Sequence, residues 1–388
     1  MAWQSRFKVR PVGIAGKAAL LAGVLTIGGG ATPAAETRAA LAAPANGEMG
    51  FILTAFAPAI HQGDEDCPEG LAGTVSENYL QSQPPAERAR LSLKENEPEF
   101  TRRWKASVAG PNNTNICSNP ELFDRPLQKT VQGKVAYGLD LDGGNASDGC
   151  SHVEFTGVDG RAGVDNQAYR AMGCTRTYRG IDGKGGDIVR GWNNLLATGE
   201  QSIVLLLRGV DSLVNDDNVE IIFATTDDRP VLDSKRGFIP GASFSVSENP
   251  RWRNVLRGRI VDGVLTSDPG EVRLTQRVGQ GGIRGKNAEY HFLRSRFELR
   301  FQPDGTVKGL FGGYQPYRTV IQGTILGGLG AGETAGIDCP AQYATLKKLA
   351  DGIRDPKTGQ CTAISSAMDV SAVPAFVIDR PPVAAKRS

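Results

Sequence analysis

Short strand patterns separated by glycine-containing turns constrain the fold of this chain more than any other feature. Between residues 131 and 327, apolar runs alternate with clusters of Gly, Pro and Asp, and no long helical pattern separates them. Asp262-Gly263 lies between two apolar runs, which is the strongest short-range signal of a β-hairpin, and Asp304-Gly305 repeats it. We therefore expect an antiparallel β-sandwich of the jelly-roll type. The best strand candidates are residues 202–210, 219–225 and 297–301.

Helical or irregular segments are expected on both sides of these strands. An apolar stretch at residues 49–60 predicts a buried strand or irregular edge, and capping and breaker residues predict helices over residues 97–109 and 340–350. The expected organisation is a signal peptide (1–43), a helical or irregular N-terminal segment packed on the core (44–130), a β-sandwich domain (131–330), and a C-terminal helix with a tail (331–388).

The first residues have the layout of a secretory signal. Basic residues precede an apolar run at residues 18–27, which is followed by small residues. We expect cleavage between residues 34 and 43, which would place the mature chain in the periplasm or outside the cell, and an uncleaved anchor is the alternative. The run is shorter than the about 20 residues of a membrane span, so we expect no stable span after cleavage.

The cysteine content predicts disulfides. An even number in an exported chain is typical of a disulfide framework. A weak internal echo, Asp-Cys-Pro at residues 66–68 and again at 338–340, favours sequential pairing. The expected bonds are Cys67 with Cys117, Cys150 with Cys174, and Cys339 with Cys361.

Residues 138–174 contain the strongest candidate site. Carboxylate and amide oxygens recur there around Gly143-Gly144, and Ca²⁺ prefers six to eight oxygen ligands in flexible geometry. The spacing does not match an EF-hand, because the positions for its glycine and its bidentate glutamate hold other residues. The candidate calcium ligands are Asp140, Asp142, Asn145, Asp148, Asp159 and Asp165.

Two alternatives to a calcium site remain open. Acidic, glycine-rich sequence is also typical of solvated turns, and Asp165 is placed to cap a helix over residues 166–172. Cys150, His152 and Cys174 offer three ligands of the type that zinc prefers, but an oxidising compartment favours a disulfide with an incidental histidine.

Enzyme motifs are scarce in the sequence. It contains neither G-x-S-x-G nor H-E-x-x-H, and its net charge of +2 argues against nucleic acid as a partner. The dense acidic set of Asp216, Asp217 and Glu220 could serve a polysaccharide hydrolase or lyase only if its carboxylates faced each other across a cleft. A Gly/Tyr stretch at residues 312–317 is interpreted as a packed turn, with a sugar-stacking rim as the alternative.

Several of these motifs together resemble a family of exported bacterial proteins of unknown function. The resemblance rests on residues 139–143 (LDLDG), 163–167 (GVDNQ), 67–70 (CPEG) and 116–124 (ICSNPELFD). It would cover nearly all of the mature chain, and it implies no catalytic residue. More broadly, the two turns ahead of a strand-rich region resemble bacterial surface and periplasmic proteins with lectin-like sandwiches, which is a likeness of fold alone.

The sequence therefore predicts an exported, calcium-binding protein and favours a binding protein over an enzyme. We expect it to act as a binding or structural module with a carbohydrate or cell-envelope ligand. A secreted polysaccharide hydrolase or lyase that uses Glu220, and an accessory subunit of an envelope complex, are the alternatives. The sequence does not predict the oligomeric state.

Overall fold

The computed structural model describes residues 44–109, 117, 119–144, 149–180, 186–276, 288–326 and 337–380. These residues belong to one unit that spans Ala39–Ser388. The expected signal peptide and the extreme C-terminal tail lie outside the described residues. No helix in the described ranges is long and apolar enough to cross a membrane.

The described strands run through the whole length of this unit. In chain order they are β1 (Glu48–Pro58), β2 (Val135–Ala136), β3 (Thr156–Gly157), β4 (Ser202–Arg208), β5 (Asp216–Thr226), β6 (Ser243–Ser245), β7 (Arg253–Val261), β8 (Val264–Ser267), β9 (Gly270–Gln276), β10 (Ala288–Phe301), β11 (Val307–Pro316), β12 (Gly352–Arg354), β13 (Cys361–Pro374) and β14 (Phe376–Ile378).

The described helices lie mainly before β4 and after β11. They are α1 (Val75–Gln81), α2 (Pro85–Leu91), α3 (Glu97–Ser107), α4 (Gln167–Met172), α5 (Arg176–Arg179), α6 (Asp187–Thr198), α7 (Tyr317–Leu326) and α8 (Cys339–Lys348), with 3-10 turns at Lys94–Asn96, Pro120–Leu122 and Pro250–Trp252.

Eight of the strands form a closed antiparallel barrel. They follow the order β1-β4-β5-β7-β8-β10-β11-β13, and β13 pairs with β1 to close the sheet. The predicted β-sandwich is therefore wrong. Period-two alternation shows that each strand has one buried face, but it does not show whether the sheet has edges. Closure depends on a pairing between Phe51 and Pro374, which are too far apart in sequence for any local pattern to reveal.

The barrel also extends beyond the boundaries expected from the sequence. Strand β1 confirms the buried strand predicted near residues 49–60, but it lies inside the barrel sheet rather than at an edge. Strand β13, the closing strand, falls within the segment expected to contain only a helix and a tail. The predicted limits at residues 131 and 330 therefore do not match those of the barrel.

Local patterns predicted several elements correctly. The hairpin between β7 and β8 turns at Asp262 (φ 50°) and Gly263 (φ 75°), the left-handed pair that a tight hairpin requires. Helix α3 begins at the predicted residue, and α8 is capped by Asp338, whose carboxylate accepts a hydrogen bond from the Ala341 amide at 3.3 Å.

Aromatic side chains fill the interior of the barrel. The Phe56 ring lies 6.0 Å from Phe223 and 5.9 Å from Phe311, and Phe311 lies 4.8 Å from Phe297. These rings are completely buried or nearly so. Because packed rings occupy the centre, the space for a ligand lies on the outer face and at the ends of the barrel.

The disulfides join segments that are distant in sequence. The bonds are Cys67–Cys174, Cys117–Cys339 and Cys150–Cys361, with separations of 107, 222 and 211 residues. The expectation of disulfides is confirmed, but the predicted sequential pairing is wrong. The repeated Asp-Cys-Pro motif did not reflect contact, because the fold brings Cys67 beside Cys174, Cys117 beside the start of α8 and Cys150 beside the start of β13.

Candidate metal centre

The D-L-D-G segment is held on the outer face of the barrel by its two leucines. Leu139 and Leu141 are buried and pack with Tyr314 of β11 and Ala363 of β13. Side chains alternate along an extended segment, so Asp140 lies away from this apolar contact. The leucines therefore fix the segment while the aspartates remain available.

Three aspartates converge beside this contact. Asp140, Asp142 and Asp165 each offer a carboxylate oxygen that lies within 4.8 Å of the other two. Asp165 reaches the segment through a bridge in which its amide donates to the Leu139 carbonyl at 3.0 Å. The structure thus brings together three of the six predicted calcium ligands.

Backbone amides orient each of the three carboxylates. Asp140 accepts from the Gly143 amide at 2.6 Å, Asp142 from the Gly144 amide at 2.8 Å, and Asp165 from the Leu141 amide at 2.7 Å. Both glycines have left-handed φ angles, 74° and 68°, which they adopt more easily than other residues. A carboxylate that accepts one such bond still has a second oxygen for a cation.

A fourth carboxylate, Asp351, lies beside this group. It is buried just after α8, and its Oδ1 accepts from the Ser365 amide of β13 at 2.7 Å. Burial, with additional repulsion from Asp142, raises the pKa of Asp351 to about 7. Burial, with repulsion from Asp351, Asp142 and Asp140, also raises the pKa of Asp165 to about 7. Ionisation of Asp165 and Asp351 is therefore unfavourable unless a positive charge lies nearby.

Sequence reasoning missed Asp351. It stands alone between Ala350 and Gly352, without the density of acidic residues that identified the D-L-D-G segment. Glu154 also borders the centre, since a Cβ built on Gly163 would lie 3.6 Å from its Oε2 and 4.0 Å from Asp140 Oδ2. Only the tertiary fold brings these residues to the site.

The proposed helix cap at Asp165 is wrong by one residue. Helix α4 begins at Gln167, and the side chain of Asn166 accepts the capping hydrogen bond from the Tyr169 amide at 3.1 Å. Asp165 is 5% exposed and faces the other aspartates. Asp165 therefore does not cap a helix, which favours its interpretation as a calcium ligand.

The remaining predicted ligands do not join the described centre. Asp159 instead pairs with the Arg161 guanidinium at 2.6 Å, and this arginine also contacts Glu298 at 2.7 Å. Asn145 and Asp148 lie outside the described residues.

The acidic set on β5 lies in a different environment. Glu220 is on the convex outer face of the barrel, 3.8 Å from the Arg208 guanidinium and 3.6 Å from that of Arg257. Asp216 accepts hydrogen bonds from nearby backbone amides, including that of Asp211 at 2.7 Å, and Asp217 is exposed. This geometry provides no cleft with facing carboxylates, so the proposed catalytic role gains no support from it.

The structure also excludes the zinc site at Cys150, His152 and Cys174, and it places Tyr314 of the predicted Gly/Tyr turn in a strand. Cys150 and Cys174 belong to different disulfides, and His152 Nε2 lies 3.2 Å from the Ala350 carbonyl. The three residues therefore cannot form a thiolate site. Tyr314 lies within β11 and is 2% exposed, so it is neither a turn residue nor a sugar-stacking rim.

Comparison of the chain with known family models, curated proteins and solved structures found no match. The fold and the site define the protein only as a disulfide-linked, closed eight-stranded barrel with a cluster of three aspartates on its outer face and a buried fourth aspartate near them.

Proposed function

We propose that this protein is an exported binding module in which Ca²⁺ organises the D-L-D-G segment on the outer face of the barrel. The observation that carries the proposal is the convergence of Asp140, Asp142 and Asp165. Ca²⁺ suits this centre because its ligands are hard oxygens in a flexible arrangement. Zinc does not, because the described centre lacks nitrogen and sulfur ligands.

Charge is the physical reason to expect a cation rather than a solvated turn. A solvated turn would leave its carboxylates in water, whereas Asp165 and Asp351 are both buried. Burial of a charge without a partner is unfavourable, and like charges at short distance add to the cost. A divalent cation would offset both effects.

The disulfides and the expected signal support export. Three disulfides are typical of proteins that fold outside the reducing cytosol. The Cys150–Cys361 bond also ties the chain just beyond the D-L-D-G segment to β13. The segment is therefore held by its buried leucines and by this disulfide. The ligand that such a module would carry belongs to the carbohydrate or cell-envelope class.

Calorimetric titration of Ca²⁺ into EDTA-treated protein at pH 8 tests the metal centre. We expect one site with a dissociation constant on the order of 10⁻⁴ M, typical of extracellular calcium modules. The double variant Asp140→Asn/Asp142→Asn should lose this heat, whereas the matched control Asp216→Asn/Asp217→Asn should keep it. Absence of binding to the wild-type chain, or equal loss in both variants, would reject the centre.

A further inference from the structure

A cleft opens on the outer side of the barrel between the end of β1, helix α6 and the neighbouring strands β11 and β13. Its volume is about 370 Å³, and residues that line it include Ile60, Gln62, Tyr137, Asn193, Leu310 and Asp369. Small-molecule sites occupy about 300–1,000 Å³ and combine apolar walls with a few polar groups. The cleft meets both criteria.

Three polar side chains face the cleft from separate elements. Asn193 of α6 accepts a hydrogen bond from the Phe56 amide at 3.1 Å through Oδ1, and its Nδ2 makes no hydrogen bond within the described ranges. Gln62 is exposed, and Asp369 of β13 is exposed without an ion pair among the described residues. The cleft thus offers amide donors and a carboxylate acceptor.

Tyr137 supplies an aromatic surface in a fixed position. Its side chain is 39% exposed, and its ring contacts that of His61 edge-on, with 6.4 Å between centroids. Its carbonyl accepts from Asn166 Nδ2 at 2.8 Å, so its backbone is tied to the residue that caps α4. An exposed ring on a fixed backbone can stack on a ligand at small entropic cost.

A buried polar cluster fixes the wall that carries Ile60 and Gln62. Asp66 is completely buried, and its Oδ2 accepts from Tyr169 at 2.7 Å, from Arg179 at 2.9 Å and from the Gly63 amide at 2.7 Å. The Tyr169 hydroxyl also lies within hydrogen-bonding distance of the His61 carbonyl, so its one proton is placed between the two acceptors. The cleft is therefore preorganised on this side.

The geometry points to a neutral saccharide as the ligand of this cleft. The apolar face of a sugar ring would stack on Tyr137, while its hydroxyl groups would donate to Asp369 and pair with the Asn193 and Gln62 amides. Lys308 of the neighbouring strand β11 partly offsets the charge of Asp369, so this wall of the cleft favours a neutral sugar over a strongly charged one. The inference deepens the proposed function, on which it rests for the role of the protein as a binding module.

An array of neutral, uronate-bearing and amino-sugar oligosaccharides, probed with the labelled full-length protein in Ca²⁺, tests the inference. We expect binding to neutral members, followed by affinity measurement with the best of them. Tyr137→Ala should weaken that affinity at least tenfold, Asp369→Asn should weaken it several-fold, and Tyr137→Phe should retain it because the ring remains.

The matched control is Phe376→Ala, which removes an exposed ring from β14, a strand that packs near the opposite end of β1. It should leave the affinity unchanged. Failure of the wild type to bind any neutral glycan, binding confined to amino sugars or uronates, or unchanged affinity in both Tyr137→Ala and Asp369→Asn would overturn the inference. The calcium titration reports only on the aspartate centre, so its failure and that of the cleft are distinguishable.

Discussion

The aspartate centre around Asp140 and the acidic set around Glu220 contain the same chemical groups in opposite surroundings. In the first, carboxylates lie beside other carboxylates, and two of them are buried. In the second, Glu220 lies between two arginines, and the nearby Asp379 is bound by Arg208 at 2.9 Å and Arg253 at 2.7 Å.

The contrast shows that acidic density in a sequence does not identify a site. What matters is the charge that the fold places opposite each carboxylate. Arginines within the chain pair with Glu220 and Asp379, so these two carboxylates need no cation from solution. At the aspartate centre the Arg296 guanidinium donates to the Asp140 carbonyl at 3.2 Å rather than to a carboxylate, and we expect a cation to balance the clustered carboxylates.

The largest change in the free energy of unfolding is expected when the ion pairs of Asp379 with Arg208 and Arg253 are removed. Asp379→Asn would leave the Arg208 and Arg253 guanidinium groups without the carboxylate they share, whose side chain is only 3% exposed. The side chains of Arg208 and Arg253 are 32% and 26% exposed, so water partly solvates them and the loss should be about 2 kcal/mol, less than for a fully buried pair. Chemical denaturation should show this loss equally in EDTA and in Ca²⁺; a loss seen only in Ca²⁺ would contradict the comparison.

A substitution at Asp165 is expected to stabilise the calcium-free protein rather than destabilise it. Asparagine can still accept from the Leu141 amide, yet it removes a buried charge, so Asp165→Asn should raise the free energy of unfolding in EDTA at pH 8 by about 1–2 kcal/mol. The same change removes a ligand and should weaken calcium binding about a hundredfold, or about 2.7 kcal/mol. Denaturation and calorimetry check both effects, and destabilisation in EDTA would show that the charge is already compensated.

A pH dependence follows from the raised pKa values of Asp165 and Asp351, both about 7. Because the unfolded chain releases these protons near pH 4, the folded state holds more protons between pH 4 and 7. Without calcium, this contribution to stability should therefore be lost as pH rises through that window. Calcium must displace the protons, so its affinity should fall at least tenfold from pH 8 to pH 6. An affinity independent of pH across this range would exclude both groups as ligands.

How much of the fold and of the site can be predicted from the sequence depends on how far apart the contacting residues lie along the chain. The Asp262-Gly263 hairpin and helix α8 are local, and sequence patterns predicted both of them. The β1–β13 pairing and the Cys150–Cys361 bond join residues hundreds of positions apart, and no periodicity encodes them. The site divides in the same way, since the D-L-D-G segment was predictable, whereas Asp351 reaches it only through the fold.

The smallest change in the free energy of unfolding is expected for a substitution of Glu220. Its ion pairs with Arg208 and Arg257 lie on the partly exposed outer face, where such pairs contribute about 0.2–1 kcal/mol. Glu220→Gln should therefore lower the free energy of unfolding by less than about 1 kcal/mol and leave calcium binding unchanged. A calcium response that depended on Glu220 would remove the distinction between the two regions.

Thermal unfolding of the wild-type protein in EDTA and in 10 mM Ca²⁺ at pH 8 tests the central claim most directly. A ligand that binds only the folded chain stabilises it by mass action, by about 2.7 kcal/mol at a hundred times its dissociation constant. We predict that Ca²⁺ raises the melting temperature by a few degrees in the wild type and in Asp216→Asn/Asp217→Asn, but not in Asp140→Asn/Asp142→Asn. An identical melting temperature of the wild type in EDTA and Ca²⁺ would contradict the account.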